Sequence, residues 1–306
     1  MARTLEYIVV DAFTDQAYGG NPAAVVLDAA GLTDQEMAAI AREFNLSETT
    51  FVLPADVPDA AIRFRWFTPG AEVRMCGHAT LAGVHALTES GRFAALRSDP
   101  EAILPIQTAS GVLATRMEPI PGRSDAWLIW LEMPRPVLKP RSLNLDKLTR
   151  LLGITTDALD KALPVMETQD TDVIVFVRDH QTLHAIVPSY AELAGYQQRQ
   201  RIRGFCLATA RTLAPSIQVQ SRFFCPMLGV NEDPVTGSVH GPLATYLVIN
   251  GLVPTQDRLA AVSCVQSAAS GRAGLVRAMV TRKPGEGYEA RIAGQCVATM
   301  RGRLTI

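Results

Sequence analysis

Cysteine is scarce and unpaired in this 306-residue chain: Cys76, Cys206, Cys225, Cys264 and Cys296 stand singly, and no two are spaced C-x-x-C. That spacing supplies neither a zinc pattern nor a disulfide framework, and it fits reduced thiols in a cytoplasm. Clustered charge of one sign is missing too. Lys and Arg number 29 against 30 Asp and Glu, for a net charge of −1, so nothing favours nucleic acid or an anionic membrane as a partner. No apolar run is long and uninterrupted enough to span a bilayer. The first residues, Met-Ala-Arg-Thr-Leu-Glu, carry no signal-peptide apolar core, which again points to the cytoplasm.

What is present is core material. Apolar residues make up 48% and charged residues 19%, enough for two domains of about 150 residues each. The chain is organised around the stretch Asn231-Glu232-Asp233-Pro234-Val235-Thr236-Gly237-Ser238 and the apolar run that follows it to Asn250-Gly251. Asn-Gly is a helix stop, because both residues tolerate the left-handed conformation. Gly237 to Asn250 therefore reads as a helix whose first turn presents backbone N–H groups to an anion or carboxylate. Thr236 and Ser238 are placed either to cap it or to bond a ligand, and Gly237 permits close approach of a ligand to the backbone.

A second copy of this pattern begins at Met75-Cys76-Gly77-His78-Ala79-Thr80 and ends at Ser90-Gly91. Gly77 to Gly91 and Gly237 to Gly251 both span 14 positions, and each unit is preceded by a matching strand end, Arg65-Trp66-Phe67-Thr68-Pro69 and Arg222-Phe223-Phe224-Cys225-Pro226. Two strand–loop–helix units of one pattern predict a chain of two related halves, with both helix N-termini facing one cleft.

Between and around these units the signals are ordinary. Leu5–Phe13 and Ala23–Leu27 read as strands flanking the turn Gly19-Gly20-Asn21-Pro22, and Thr33-Asp34-Gln35-Glu36 is a capping box. Glu48 stands where a loop meets the strand candidate Thr49–Leu53. It is either a solvated strand-edge carboxylate or, if shielded by Leu46, Phe51 and Val52, a group whose charged form is disfavoured and whose pKa rises toward a useful base. His78 is a packing residue or a ligand contact in the first helical turn. Cys76, just before the helix, is an inert buried thiol or a reactive one. Pro134–Pro140 reads as the connection between halves. Asp172–Val177 is a buried strand expected to mirror Tyr7–Val10, and Phe205–Thr209 stands where Thr49–Leu53 stood, with no glutamate at the counterpart of Glu48.

Gly20-Asn21-Pro22, Asn45-Leu46-Ser47-Glu48-Thr49-Thr50-Phe51, Gly77-His78-Ala79-Thr80 and Asp233-Pro234-Val235-Thr236-Gly237-Ser238, in this order and spacing, resemble the phenazine-biosynthesis PhzF-like isomerases of the diaminopimelate-epimerase fold. The resemblance runs from about Tyr7 to the C-terminus. It implies an α+β protein of two pseudo-symmetric β-barrel-like domains, each wrapped round a central helix. The expected division gives residues 1–118 with about 288–306 to the domain carrying Glu48 and His78, and 119–287 to the one carrying Asp233–Ser238. It further implies Glu48 as general acid/base, His78 and Asp233 as assisting groups, and Asn21, Cys76, Gly77, Thr236, Gly237 and Ser238 as substrate contacts. No metal or organic cofactor is implied; a small carboxylate substrate and a homodimer are. Met-Cys-Gly-His is also similar to the related epimerases and proline racemases, which use one cysteine from each half. Here Asp-Pro-Val-Thr-Gly-Ser stands where the second cysteine would fall. Three functions follow as expectations: a cofactor-independent isomerase working through Glu48, an amino-acid epimerase or racemase using Cys76, and a catalytically silent binder of metabolites or a protein partner.

Overall fold

The two apolar, glycine-led runs form helices that are buried on nearly every side, as expected of helices without a polar face. In the computed structural model, which describes residues 3–306, the chain divides into two compact units. One comprises the residues up to Glu132 together with Ile292–Ile306, and the other is Met133–Arg291.

The first unit begins with strands β1 (Thr4–Ala12) and β2 (Asn21–Val26), helix α1 (Asp34–Phe44), and strands β3 (Glu48–Leu53), β4 (Ile62–Phe67) and β5 (Glu72–Val73). Helix α2 (Gly77–Glu89), the short helix α3 (Ala95–Ser98) and strands β6 (Leu104–Thr108), β7 (Gly111–Ile120) and β8 (Arg123–Glu132) follow. The second unit carries β9 (Leu138–Pro140), α4 (Leu145–Leu152), β10 (Met166–Thr168), β11 (Asp172–Phe176), α5 (His180–Ala185), α6 (Tyr190–Gln200) and β12 (Gly204–Thr209). It continues through β13 (Val219–Cys225), β14 (Val230–Asp233), α7 (Gly237–Ile249), β15 (Leu259–Ser267) and β16 (Ala273–Lys283). Strand β17 (Gly287–Gly294) leads back to the first unit, where β18 (Cys296–Thr305) pairs antiparallel with β1.

The two units share one ladder order. In the first, β1 is antiparallel to β2, β2 parallel to β3, β3 antiparallel to β4, β4 parallel to β6 and β6 antiparallel to β7. In the second, β10, β11, β12, β13, β15 and β16 repeat that sequence of antiparallel, parallel, antiparallel, parallel and antiparallel pairings. Each parallel step requires a crossover. Helices α1 and α2 supply the two crossovers in the first unit, and α6 (with α5) and α7 supply them in the second. Phe205–Thr209 does stand where Thr49–Leu53 stands. The strand at Asp172, however, corresponds to β2 and not to Tyr7–Val10, because it is β2 that runs parallel to β3. Apolar content alone did not reveal which neighbour a buried strand pairs with.

Helix α2 lies against β1, β2, β3, β8 and β18, with 11 of its 13 residues buried. Helix α7, likewise 11 of 13 buried, lies against β15 and β16, and its Tyr246 ring stacks on Phe176 at 4.8 Å. Both helices stop as their sequences predict, with Gly91 (φ 83°) and Gly251 (φ 69°) in the left-handed region. The smaller helices cover the outer faces: α1 seals Met37 and Ile40 against Val26, Phe51 and Phe67, and α4 and α6 seal Leu148, Leu152 and Leu193 against Val173, Phe205 and Leu207. The segment 134–140, expected as a plain connection, contributes β9 to an antiparallel pair with β10. No helix among the described residues is long and apolar enough to cross a membrane.

Candidate active site

The register of β3 places Glu48 at the start of the strand, opposite Ala23 of β2, and Ser47 in the residue before it. Helix α2 begins close by. Its second residue, His78, is buried, and its ring is flanked on both sides. Glu48 Oε2 lies 3.3 Å from His78 Nε2, with Ser47 Oγ also 3.3 Å from that nitrogen. On the other side, Asn21 Nδ2 lies 3.2 Å and Cys76 Sγ 3.5 Å from Nδ1. An Asn21 amide oriented to donate to Nδ1 leaves its Oδ1 to accept from Ser47 Oγ at 3.3 Å. In that arrangement Nδ1 is an acceptor, and the ring proton sits on Nε2 and faces Glu48. The sequence-predicted residues Asn21, Glu48, Cys76, Gly77 and His78 thus come together. Ser47, which sequence reasoning passed over, joins them; its place beside Glu48 in the Asn-Leu-Ser-Glu run was the available signal. The Glu48 side chain is 19% exposed and that of His78 5%. The carboxylate can therefore reach a ligand while its imidazole partner stays dry.

Glu48, Cys76 and His78 also form a group whose ligand atoms all lie within 4.8 Å of one another, so among the described residues they are side chains that could hold a metal ion. Cys76 and Glu48 address different nitrogens of the one ring. An ion taking all three would have to use a single imidazole nitrogen and draw one partner round to it.

In the second unit the Asp-Pro-Val-Thr-Gly-Ser segment forms the entry to α7. Thr236 Oγ1 donates to Asp233 Oδ2 at 2.5 Å. Gln266 on β15 clamps the turn, accepting from Thr236 N at 3.0 Å and donating to the Asp233 carbonyl at 2.7 Å. Gly237, Ser238 and Val239 open the helix, and Ser238 Oγ accepts from Arg203 Nη2 at 2.9 Å. Arg203 is gripped in turn by Asp172 through both carboxylate oxygens, Nε to Oδ1 at 2.8 Å and Nη2 to Oδ2. Burial pushes the Asp172 carboxyl upward and the Arg203 charge opposes that. His240 is wholly buried, its Nδ1 2.8 Å from the Thr236 carbonyl; burial pushes its pKa down to about 4, so the ring is neutral. Burial also pushes the Cys206 and Cys264 thiols up, which makes them inert core residues.

Neither glycine-led helix is capped. Cys76 and Thr236, at the N-cap positions of α2 and α7, make no side-chain capping bond, and no acidic residue lies in either first turn. Every other helix longer than four residues has a capping side chain, as with Thr33, Asn144 and Asp179 for α1, α4 and α5, or an acidic first-turn residue, Glu192 in α6. First-turn N–H groups need a partner, and in α2 and α7 an anion suits both them and the helix dipole.

The ladders also settle which positions correspond. Phe67 pairs with Thr49, and Phe224, which ends the matching Arg-aromatic-Phe strand, pairs with Phe205. Thr49 therefore corresponds to Phe205, Glu48 to Gly204 and Ser47 to Arg203. Gly204 leaves no room for a side chain: a Cβ there would lie 2.1 Å from the Phe223 ring. The doubled Arg is structural in both units, Arg65 bonding Glu72 and Arg222 bonding Glu232.

The chain matches the phenazine biosynthesis-like protein family, PhzC-PhzF, over residues 10–302. It is 40% identical to an uncharacterized isomerase of Pseudomonas aeruginosa over 78% of this chain and 79% of that one. It is 31% identical to an uncharacterized isomerase of Clostridium acetobutylicum over the whole of both chains. The crystal structure of the Bacillus anthracis phenazine biosynthesis protein of the PhzF family superposes with a TM-score of 0.88 at 28% identity, covering 99% of this chain and all of that one. The shared ladder order and buried glycine-led helices are thus those of the diaminopimelate epimerase-like fold, and the chain belongs to the PhzC-PhzF family of isomerases.

Proposed function

We propose that this protein is a cofactor-independent isomerase of a small carboxylate metabolite, with Glu48 as the general acid/base that moves a proton between two carbons. The observation that carries the reading is the Glu48–His78–Ser47–Asn21 cluster, in which a half-buried carboxylate is oriented by a buried imidazole at 3.3 Å. Taking a proton from carbon makes Glu48 neutral, and the His78 N–H holds it in place while it carries the proton to the second carbon. Negative charge that develops on the substrate's carboxylate is met by the uncapped first turns of α2 and α7, at Gly77 and at Thr236, Gly237 and Ser238, which is electrostatic stabilisation by fixed dipoles. Asp233, bonded to Thr236, assists by shaping the α7 end. The proposal includes that both helix ends serve one substrate.

Cys76 supports a second reading. Its sulfur lies 3.5 Å from His78 Nδ1, so a thiol–imidazole pair is available for an epimerase or racemase. Solvent exchange separates the two. Wild type and Glu48→Gln are incubated in deuterium oxide with a panel of small carboxylates, and products are followed by proton NMR and mass spectrometry. The isomerase reading expects a shifted double bond with label incorporated, abolished in Glu48→Gln. Inversion of a centre without a shifted bond supports the epimerase, and binding without label uptake supports a silent member.

A further inference from the structure

The two units hold equivalent positions in very different chemistry. Where the first unit places Ser47 and Glu48 beside the first turn of α2, the second places Arg203 and Gly204 beside the first turn of α7. Ser47 reaches His78, the second residue of α2; Arg203 reaches Ser238, the second residue of α7, at 2.9 Å. The acid/base position is thus empty of function in the second unit, and the position before it has become a cation.

Arg203 is held with unusual care. Its Nε and Nη2 are engaged by Asp172, which is 1% exposed, and Nη2 also serves Ser238. Nη1 donates to no protein acceptor among the described residues, and the side chain remains 30% exposed. A guanidinium fixed on one edge presents its remaining Nη1 N–H donors in a set direction, where they can make a charge-assisted bond to one oxygen of a carboxylate.

We infer that Arg203 is a specificity-determining residue that recognises a carboxylate group of the substrate at the start of α7, and that Asp172 is its positioning residue. This rests on the reading of the α7 end as part of the substrate site and deepens it. The ligand group is anionic and planar, engaged by Nη1 together with the Ser238 hydroxyl and the first-turn N–H groups. Asp172 acts only through Arg203, by fixing the guanidinium plane.

The test titrates sodium malonate, and separately inorganic phosphate, into wild type, Arg203→Lys and the double variant Asp172→Asn/Arg203→Gln. Affinity is read by calorimetry, and the fold by circular dichroism and melting. Wild type is expected to saturate with malonate and to bind it more tightly than phosphate. Arg203→Lys keeps the charge but loses the fork, and its malonate affinity should fall about tenfold. The double variant should lose about 10–100-fold, the change that follows removal of a hydrogen bond to a charged group. It leaves no buried charge unpaired, so it carries the test if the single variant folds poorly. Wild-type malonate affinity in a folded variant would show the pair to be structural only. Failure of wild type to saturate, or tighter binding of phosphate, would equally overturn the inference. Malonate binding through Arg203 with no label exchange on any carboxylate would remove the isomerase reading and keep the anchor; exchange with variant-insensitive malonate binding would do the reverse.

Discussion

Replacing Glu48 by glutamine removes one proton site and little else. The side chain keeps its length, and the amide oxygen can still accept from His78 at the 3.3 Å separation held by the carboxylate. The loss to the folded protein is the difference between a hydrogen bond to a charged group and a neutral one, about 1 kcal/mol. Ligand affinity should therefore stay close to wild type. Turnover should not. A positioned general acid/base contributes about 10²–10⁴-fold, and in the proposed mechanism one group serves both transfers. The floor of 10² corresponds to about 2.7 kcal/mol of barrier. Glu48→Asp withdraws the carboxylate by one methylene from the histidine that orients it and should be similarly impaired, because proton transfer needs hydrogen-bond contact. The assay sets deuterium uptake beside ligand affinity for the same preparations. Near-normal turnover in Glu48→Gln with normal binding would refute the assignment and turn attention to Asp233.

Four other outcomes are expected. Cys76→Ser keeps a group able to bond His78 Nδ1 and should lower turnover less than the 10²–10³-fold typical of losing a principal catalytic donor; a greater loss would favour the epimerase. His240 is wholly buried with its pKa lowered to about 4, so below pH 6.5 the unfolded chain takes up a proton that the folded chain refuses. Stability should fall as pH drops from about 6.5 to 4, by about 2 kcal/mol at pH 5, and urea midpoints at pH 7 and 5 should converge in His240→Gln. Arg222→Met strands Glu232, whose side chain is only 6% exposed, and strips donors from the Leu183 and Ile186 carbonyls. It should cost about 3–5 kcal/mol, with much of that recovered when Glu232 is also replaced by leucine. Gly204→Ala forces a Cβ into the Phe223 ring and should destabilise by about 1–3 kcal/mol, read from the melting temperature.

The helices at the centre of each unit were legible because their whole course is local: a glycine opening, an unbroken apolar run and a left-handed stop at Gly91 and Gly251. Strand Phe205–Thr209 was legible as the counterpart of Thr49–Leu53 for the same reason, its place in a repeated order. Partners of strands were not. Asp172–Phe176 reads as any buried strand, and only its parallel pairing with β12 identifies it with β2. The α5 turn, six residues long, is too short for helical periodicity to register. Of the site, the loop motifs marked Asn21, Glu48, Cys76 and His78, because each sits where an element begins. Arg203 and Gln266 were invisible, since each acts on α7 across a long stretch of sequence, Arg203 from 35 residues before Ser238 and Gln266 from 30 residues after Thr236. Arg222 showed only as a repeated letter, with nothing to indicate that Glu232 would be its partner.

Gly204 also bears on how a protein of this ancestry can diversify. A chain built from two like halves invites the duplication of any useful group from one half to the other, such as a carboxylate at the position matching Glu48. Here that change is closed to single substitutions, because the Phe223 ring already fills the space that the new side chain would enter. A path to it must first shrink residue 223, giving up core packing before any chemistry is gained. The asymmetry between the halves is therefore guarded by a steric ratchet: the carboxylate that the first unit carries at Glu48 cannot be matched in the second by one substitution.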